Sequence, residues 1–177
     1  MNPIILIPAR MASQRLSEKP LQLIHGDPMI VHVWRRAMES GVGHVVVACD
    51  DQQIADHIEK AGGIAVLTDP DLPSGSDRIW AALQHIDPEN NYNVVINLQG
   101  DLPDLDPLLL HRVLDVLQQD DVDIGTLAVR FDNEADRLDP NQVKIVLSKK
   151  DNQDVGRALY FSRANVPYGS TDAYYHV

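Results

Sequence analysis

Ile4-Ile5-Leu6-Ile7 runs straight into Pro8-Ala9-Arg10-Met11-Ala12-Ser13-Gln14-Arg15-Leu16-Ser17-Glu18-Lys19-Pro20-Leu21, and this passage decides the fold. It reads as a short apolar strand that opens into a loop. That loop holds the cations Arg10, Arg15 and Lys19 against the single anion Glu18, in a chain of net charge −11. Ligands of open α/β sheets lie at the carboxyl ends of the strands. An acidic chain that gathers positive charge there is suited to something very negative, and a triphosphate is the natural candidate. Arginine grips two oxygens as a fork and lysine acts as a point charge, so cations spread along a loop match charge spread along a ligand. Backbone N–H groups of small residues such as Ala9 and Ala12 can approach phosphates closely. The competing reading is that the cations only solubilise a surface loop.

Outward from this loop, strand and helix patterns alternate. Apolar runs at Ile4–Ile7, His44–Ala48, Ala65–Thr68 and Val94–Leu98 predict strands. Helical periodicities fall at Met29–Ser40, Gln52–Ala61, Asp77–His85 and Pro107–Gln119. Gly41 and Gly62-Gly63 read as helix stops, and Asp106-Pro107 as a cap followed by proline at the first helical position. The expected fold is therefore α/β: βαβ units forming a Rossmann-like, mostly parallel sheet with helices on both faces. Past Asp121 the pattern predicts a strand at Val122–Val129, a short helix at Asp132–Leu138 and strands at Val143–Leu147 and Ala158–Phe161. These form a small antiparallel excursion that walls a substrate pocket. One domain over residues 1–177 is expected, with about 122–177 as its substrate-pocket and dimer-side portion. The aromatic ending Asp172-Ala173-Tyr174-Tyr175-His176-Val177 reads as a chain cut before its natural end.

Composition narrows the function. The acidic balance opposes nucleic-acid binding and docking on anionic lipid. No apolar run reaches the length of a membrane span, and the start lacks a signal-peptide pattern. Cys49 is the only cysteine, which excludes an internal disulfide and a thiolate cage. A cytoplasmic location is the simplest setting, and Cys49 reads as a small core residue. His25, His32, His57 and His111 read as packing or surface residues. Neither a G-x-x-x-x-G-K-[ST] loop nor a G-x-G-x-x-G fingerprint is present, so ATP-hydrolysing and dinucleotide readings lose their main support.

Two further constellations carry chemistry. Asn97-Leu98-Gln99-Gly100-Asp101 follows the strand Val94-Val95-Ile96. A carboxylate just past a strand can hold Mg²⁺, which favours one or two carboxylates plus phosphate oxygens and water. By itself Asp101 would more commonly cap the turn before Pro103; the basic loop at the same sheet edge favours the metal role. Pro73-Ser74-Gly75-Ser76-Asp77-Arg78 opens a helix. Capping by Ser76 or Asp77 accounts for these residues as well as contact with a base or ribose does.

The segment Ile7-Pro8-Ala9-Arg10-x-x-Ser13-x-Arg15-Leu16-x-x-Lys19-Pro20-Leu21 resembles the N-terminal signature of the sugar-acid cytidylyltransferases, most closely those acting on 3-deoxy-manno-octulosonate (Kdo). Matches continue through Pro28-Met29-Ile30-Val31-His32-Val33, Ser74-Gly75-Ser76-Asp77-Arg78, Asn97-Leu98-Gln99-Gly100-Asp101, Val143-Lys144-Ile145-Val146 and Ala158-Leu159-Tyr160-Phe161-Ser162-Arg163-Ala164. The resemblance implies transfer of CMP from CTP to the anomeric hydroxyl of Kdo, for lipopolysaccharide biosynthesis. It implies that Arg10, Arg15 and Lys19 bind the triphosphate and stabilise pyrophosphate, with Ala9 beside them. Ser74, Gly75, Ser76 and Gln99 would face cytosine and ribose, Asp101 would hold Mg²⁺, and Arg163 and His176 would meet the sugar acid. Departures are Ser17-Glu18 where the family commonly has Pro-Gly, and Leu102-Pro103 where it often has Glu-Pro. Family chains continue past the position of Val177 through the dimer contact, so a homodimer is expected of the full-length form. The alternatives are a CMP-sialic acid synthetase-like enzyme and an inactive CTP-binding module.

Overall fold

The computed structural model describes residues 1–11, 18–150, 153–169 and 173–176. In chain order, β1 (Pro3–Ala9) leads to a 3₁₀ turn (Lys19–Leu21) and the short strands β2 (Leu23–Ile24) and β3 (Asp27–Pro28). Next come α1 (Met29–Ser40), β4 (His44–Cys49), α2 (Gln52–Lys60), β5 (Ile64–Leu67), α3 (Gly75–Ile86) and β6 (Val94–Asn97). The remainder is α4 (Leu108–Val116), β7 (Ala128–Arg130), α5 (Glu134–Leu138), β8 (Lys144–Ser148), β9 (Arg157–Ser162) and β10 (Tyr174–His176). Two compact units result, Met1–His111 and Arg112–Val177, the division falling inside α4.

In the first unit a parallel sheet has the order β5-β4-β1-β6. The opening strand is therefore interior, and Ile4, Ile5, Leu6 and Ile7 are each 0% exposed. Burial of each contributes roughly 1.5–3 kcal/mol. Ile4 and Leu6 pack with Val46 and with Ile79 of α3, flanked by Val66, Leu83, Ile86 and Tyr92. Ile5 and Ile7 point to the opposite face and are equally buried, so both faces are covered. Helix α1 occupies its predicted residues and stops at Gly41, whose φ of 62° is the left-handed conformation glycine adopts freely. Asp87, after α3, accepts from the Tyr92 and Asn91 N–H groups and the Asn91 side chain, bonds that hold its carboxyl below the usual range and fix the approach to β6.

Several boundaries differ from the sequence reading. Helix α3 begins at Gly75 because Ser74, rather than Ser76 or Asp77, is its N-cap, with Oγ accepting from the Asp77 N–H at 3.2 Å. The predicted helix to Gln119 ends at Val116, followed by tighter turns through Gln119. The predicted strand Val122–Val129 is extended pairing only from Ala128. The acidic run before it makes a turn, and Gly125 lies so close to α4 that a Cβ there would sit 3.0 Å from the Val113 carbonyl oxygen. The hairpin β2–β3 escapes the sequence reading; His25 and Gly26 both take positive φ at its turn (51° and 94°), the combination a two-residue type I′ turn needs.

The second unit carries the antiparallel sheet, in the order β7-β10-β8-β9. Lys144 opens β8, an interior strand of this sheet, and is paired in register with Ser162 of β9 and Tyr175 of β10. It is fully buried, and its ammonium donates to the carbonyls of Asp139, Gln142 (2.9 Å) and Arg163 (3.1 Å).

Candidate active site

Strand β1 pairs with β4 on one side and β6 on the other, so strand order reverses at β1. A crevice opens beyond the strand ends at such a switch point. The chain leaves the sheet after Ala9 of β1 and after Asn97 of β6 at the same edge, because β1 and β6 are parallel. Gly100 makes the close approach of the two segments possible: a Cβ would lie 2.8 Å from the Pro8 carbonyl oxygen and 3.4 Å from Ile30 Cδ1. Gly100→Ala is expected to cost about 1–3 kcal/mol through forced separation of the two segments. A denaturant-unfolding midpoint measures it, and an unchanged midpoint would show that the loop yields without strain.

The crevice has a volume of about 240 Å³ and is lined by Pro8, Ala9, Arg10, Lys19, Pro20, Met29, Gln99, Gly100 and Asp101. Lys19 Nζ donates to Asp101 Oδ2 at 2.6 Å, with both side chains partly exposed, at 39% and 49%. The cationic loop and the carboxylate are thus brought into contact. Arg10 lines the same wall and is exposed. Gln99 Nε2 donates to Asn97 Oδ1 at 3.0 Å. The start of α3 lies beside this wall, since a Cβ on Gly75 would meet Pro8 Cγ at 3.4 Å. Ser74, Gly75 and Ser76 therefore sit next to the strand end from which the basic loop departs, although the Ser74 hydroxyl is engaged as the helix cap. Arg15 lies outside the described residues.

Arg163 and His176 belong to the second unit. β9 and β10 both run antiparallel to β8, so Arg163 and His176 each follow the Ser162–Lys144–Tyr175 row at the same end of the sheet. Arg163 Nη1 donates to the Pro140 carbonyl at 2.9 Å, and the His176 ring stands edge-on to Phe161 at 5.8 Å.

Cys49 is buried, which pushes its thiol up to about 11, so a nucleophilic role is out of reach at neutral pH. His32 and His111 bond backbone carbonyls of Ile24 and Ser40, in keeping with packing roles. The sequence reading gives no role to Asp50 or Arg78, yet both side chains are nearly fully buried and face each other. The usable signal was an acidic residue directly after the second strand of an open sheet and a lone arginine among the apolar positions of α3.

This is the architecture of a nucleotide-transferring α/β enzyme: a parallel sheet, a switch-point crevice, and cations and a carboxylate on its rim. A family model described as cytidylyltransferase matches residues 4–176, and the chain belongs to that family. Its relatives include the 3-deoxy-manno-octulosonate cytidylyltransferases of Rhodospirillum rubrum (54% identical, covering 99% of this chain and 70% of the relative) and Paramagnetospirillum magneticum (50%, covering 100% and 72%). Among solved structures, a CMP:2-keto-3-deoxy-manno-octonic acid synthetase complexed with CTP aligns with a TM-score of 0.86 at 36% identity, over 100% of this chain and 72% of that one. A cytidylyltransferase from Leptospira borgpetersenii aligns over 68% of this chain and 51% of its own, with a TM-score of 0.56 and 26% identity. Among the described residues no helix is long and apolar enough to cross a membrane.

Proposed function

We propose that this chain transfers CMP from CTP to the anomeric hydroxyl of Kdo. The hydroxyl oxygen forms a bond to the α-phosphorus, the bond to the β-phosphate breaks, pyrophosphate leaves, and the hydroxyl proton passes to water. The observation that carries the reading is the meeting of Lys19 and Asp101 in the crevice between the ends of β1 and β6. Arg10, Arg15 and Lys19 neutralise the triphosphate and stabilise the departing pyrophosphate, where charge develops most. Ala9 lies beside them at the phosphates, and Ser74–Ser76 and Gln99 line the nucleoside end. The Arg163 guanidinium suits the sugar-acid carboxylate, with His176 as a second contact.

The donor set at the crevice fits Mg²⁺. Asp101 offers hard oxygens at the rim, and no cluster of three or more His, Cys, Asp or Glu forms a complete cage among the described residues. Mg²⁺ favours one or two carboxylates together with phosphate oxygens and water, and Asp101 would be one of those carboxylates. When bound it supplies charge neutralisation and a lower hydroxyl pKa. A homodimer of the full-length form and a cytoplasmic location complete the reading.

Pyrophosphate release in the presence of CTP, Mg²⁺ and Kdo tests it. Release that depends on Kdo, and is not matched by a nine-carbon sialic acid, is the expected result. CTP binding without any release would leave a nucleotide-binding module and overturn the transferase reading.

A further inference from the structure

A buried ionic link lies beneath the crevice. Asp50 follows β4 directly, and its Oδ1 accepts the Met11 N–H at 3.0 Å. The other oxygen, Oδ2, stands 3.7 Å from Arg78 Nη2, the two side chains being 7% and 2% exposed. Arg78 Nη1 donates to Thr68 Oγ1 and to the Asp69 carbonyl (3.3 Å), and Thr68 Oγ1 donates in turn to the Cys49 carbonyl at 3.0 Å. The guanidinium thus spans the ends of β4 and β5 while anchored on α3, where its own N–H bonds the Ser74 carbonyl at 3.1 Å.

Met11 is the pivot of the basic loop. Its N–H is held by Asp50, and its carbonyl accepts the Glu18 N–H at 3.2 Å, one residue before Lys19. One residue therefore ties together the two described ends of the loop, and a buried carboxylate ties that residue to the sheet. The continuous path runs from the Ser74–Ser76 turn through Arg78 and Asp50 to Met11, and so to Arg10 and Lys19. Buried ion pairs return little net stability once desolvation is counted, and their best-attested value is in fixing one arrangement over others. Here the arrangement fixed is the height of the basic loop relative to the start of α3.

We infer that Asp50 and Arg78 are positioning residues that hold the phosphate-binding loop in register with the nucleoside end of the site, and so set the preference for a triphosphate over a monophosphate. The inference rests on the cytidylyltransferase reading above. Neither residue lines the crevice, so the effect passes through Met11 and not through direct contact with nucleotide.

Calorimetric titration of CTP and CMP into the wild-type chain, Asp50→Asn and Arg78→Lys, each with a thermal melt, tests the inference. Asn keeps the shape and an oxygen for the Met11 N–H but removes the charge; Lys keeps the charge but loses the fork that spans Asp50 and Thr68. The expected result is a CTP Kd raised about tenfold in folded variants, the size of one charge-assisted hydrogen bond, with the CMP Kd unchanged. Equal weakening of CTP and CMP, no weakening of either, or loss of the fold in both variants would overturn it, because the pair would then serve the fold alone. A wild-type chain that binds no CTP would instead defeat the parent reading.

Discussion

Asp101→Asn is expected to lower Kdo-dependent pyrophosphate release by about 10²–10³-fold in kcat, the loss typical of removing one preorganised charge contact in a transfer site. The substitution keeps the size of the side chain and removes the charge that faces Lys19 at 2.6 Å. Because both partners are partly exposed, the ion pair itself contributes no more than about 1 kcal/mol, and the melting temperature should barely move. The freed Lys19 remains available to phosphate, so KM for CTP should change far less than kcat. Lys19→Met should show the reverse emphasis, with KM for CTP rising. Steady-state kinetics of the two variants measure the split, and a loss of less than about tenfold in Asp101→Asn would remove the metal-holding role from that residue.

Lys144→Met should have the largest effect on stability. Methionine fills a similar volume, so the change isolates the loss of the ammonium from the loss of packing. Three carbonyls, on Asp139, Gln142 and Arg163, lose their buried donor. Each orphaned acceptor costs about 1–3 kcal/mol, while the ammonium's own desolvation is relieved, leaving a net loss of about 3–5 kcal/mol. Lys144→Arg should not rescue it, since a planar guanidinium cannot direct protons at three carbonyls grouped around one tetrahedral nitrogen. Denaturant unfolding followed by circular dichroism measures both variants. A shift below about 1 kcal/mol for Lys144→Met would show that water takes over the three carbonyls. The Arg163 carbonyl is among them, so the variant also loosens the backbone that carries a proposed sugar-acid contact.

What the sequence revealed and what it hid follow from the range of the interactions involved. β1 was legible because Ile4–Ile7 is apolar at every position, and α1 because Met29–Ser40 keeps helical spacing up to a glycine stop. Both signals are local. The ends of β1 and β6 also disclosed the basic loop and the Gln99-Gly100-Asp101 turn, because strand ends are where open sheets place ligands. The Val122–Val129 expectation failed because β-branched residues at Val122 and Ile124 suggested a strand, while the close packing of Gly125 on α4 decided otherwise. Ser74 was passed over as the cap because Ser76 and Asp77 compete with it on composition alone; only the hydrogen bond to the Asp77 N–H distinguishes them. Lys144 and the Asp50–Arg78 pair were passed over for a different reason. Charged residues are read from sequence as surface, and their burial depends on partners that arrive from other segments.

Lys19 and Asp101 stand 82 positions apart along the chain. Closing so long a loop costs entropy that only the docking of β6 onto β1 repays, and non-local pairings of this kind form late in folding. The residues that would meet the nucleotide are therefore in place only when the sheet has acquired its last described neighbour for the opening strand. A nascent or partly folded chain carries the complete basic loop but not the carboxylate opposite it, so competence for chemistry arrives with completion of the sheet.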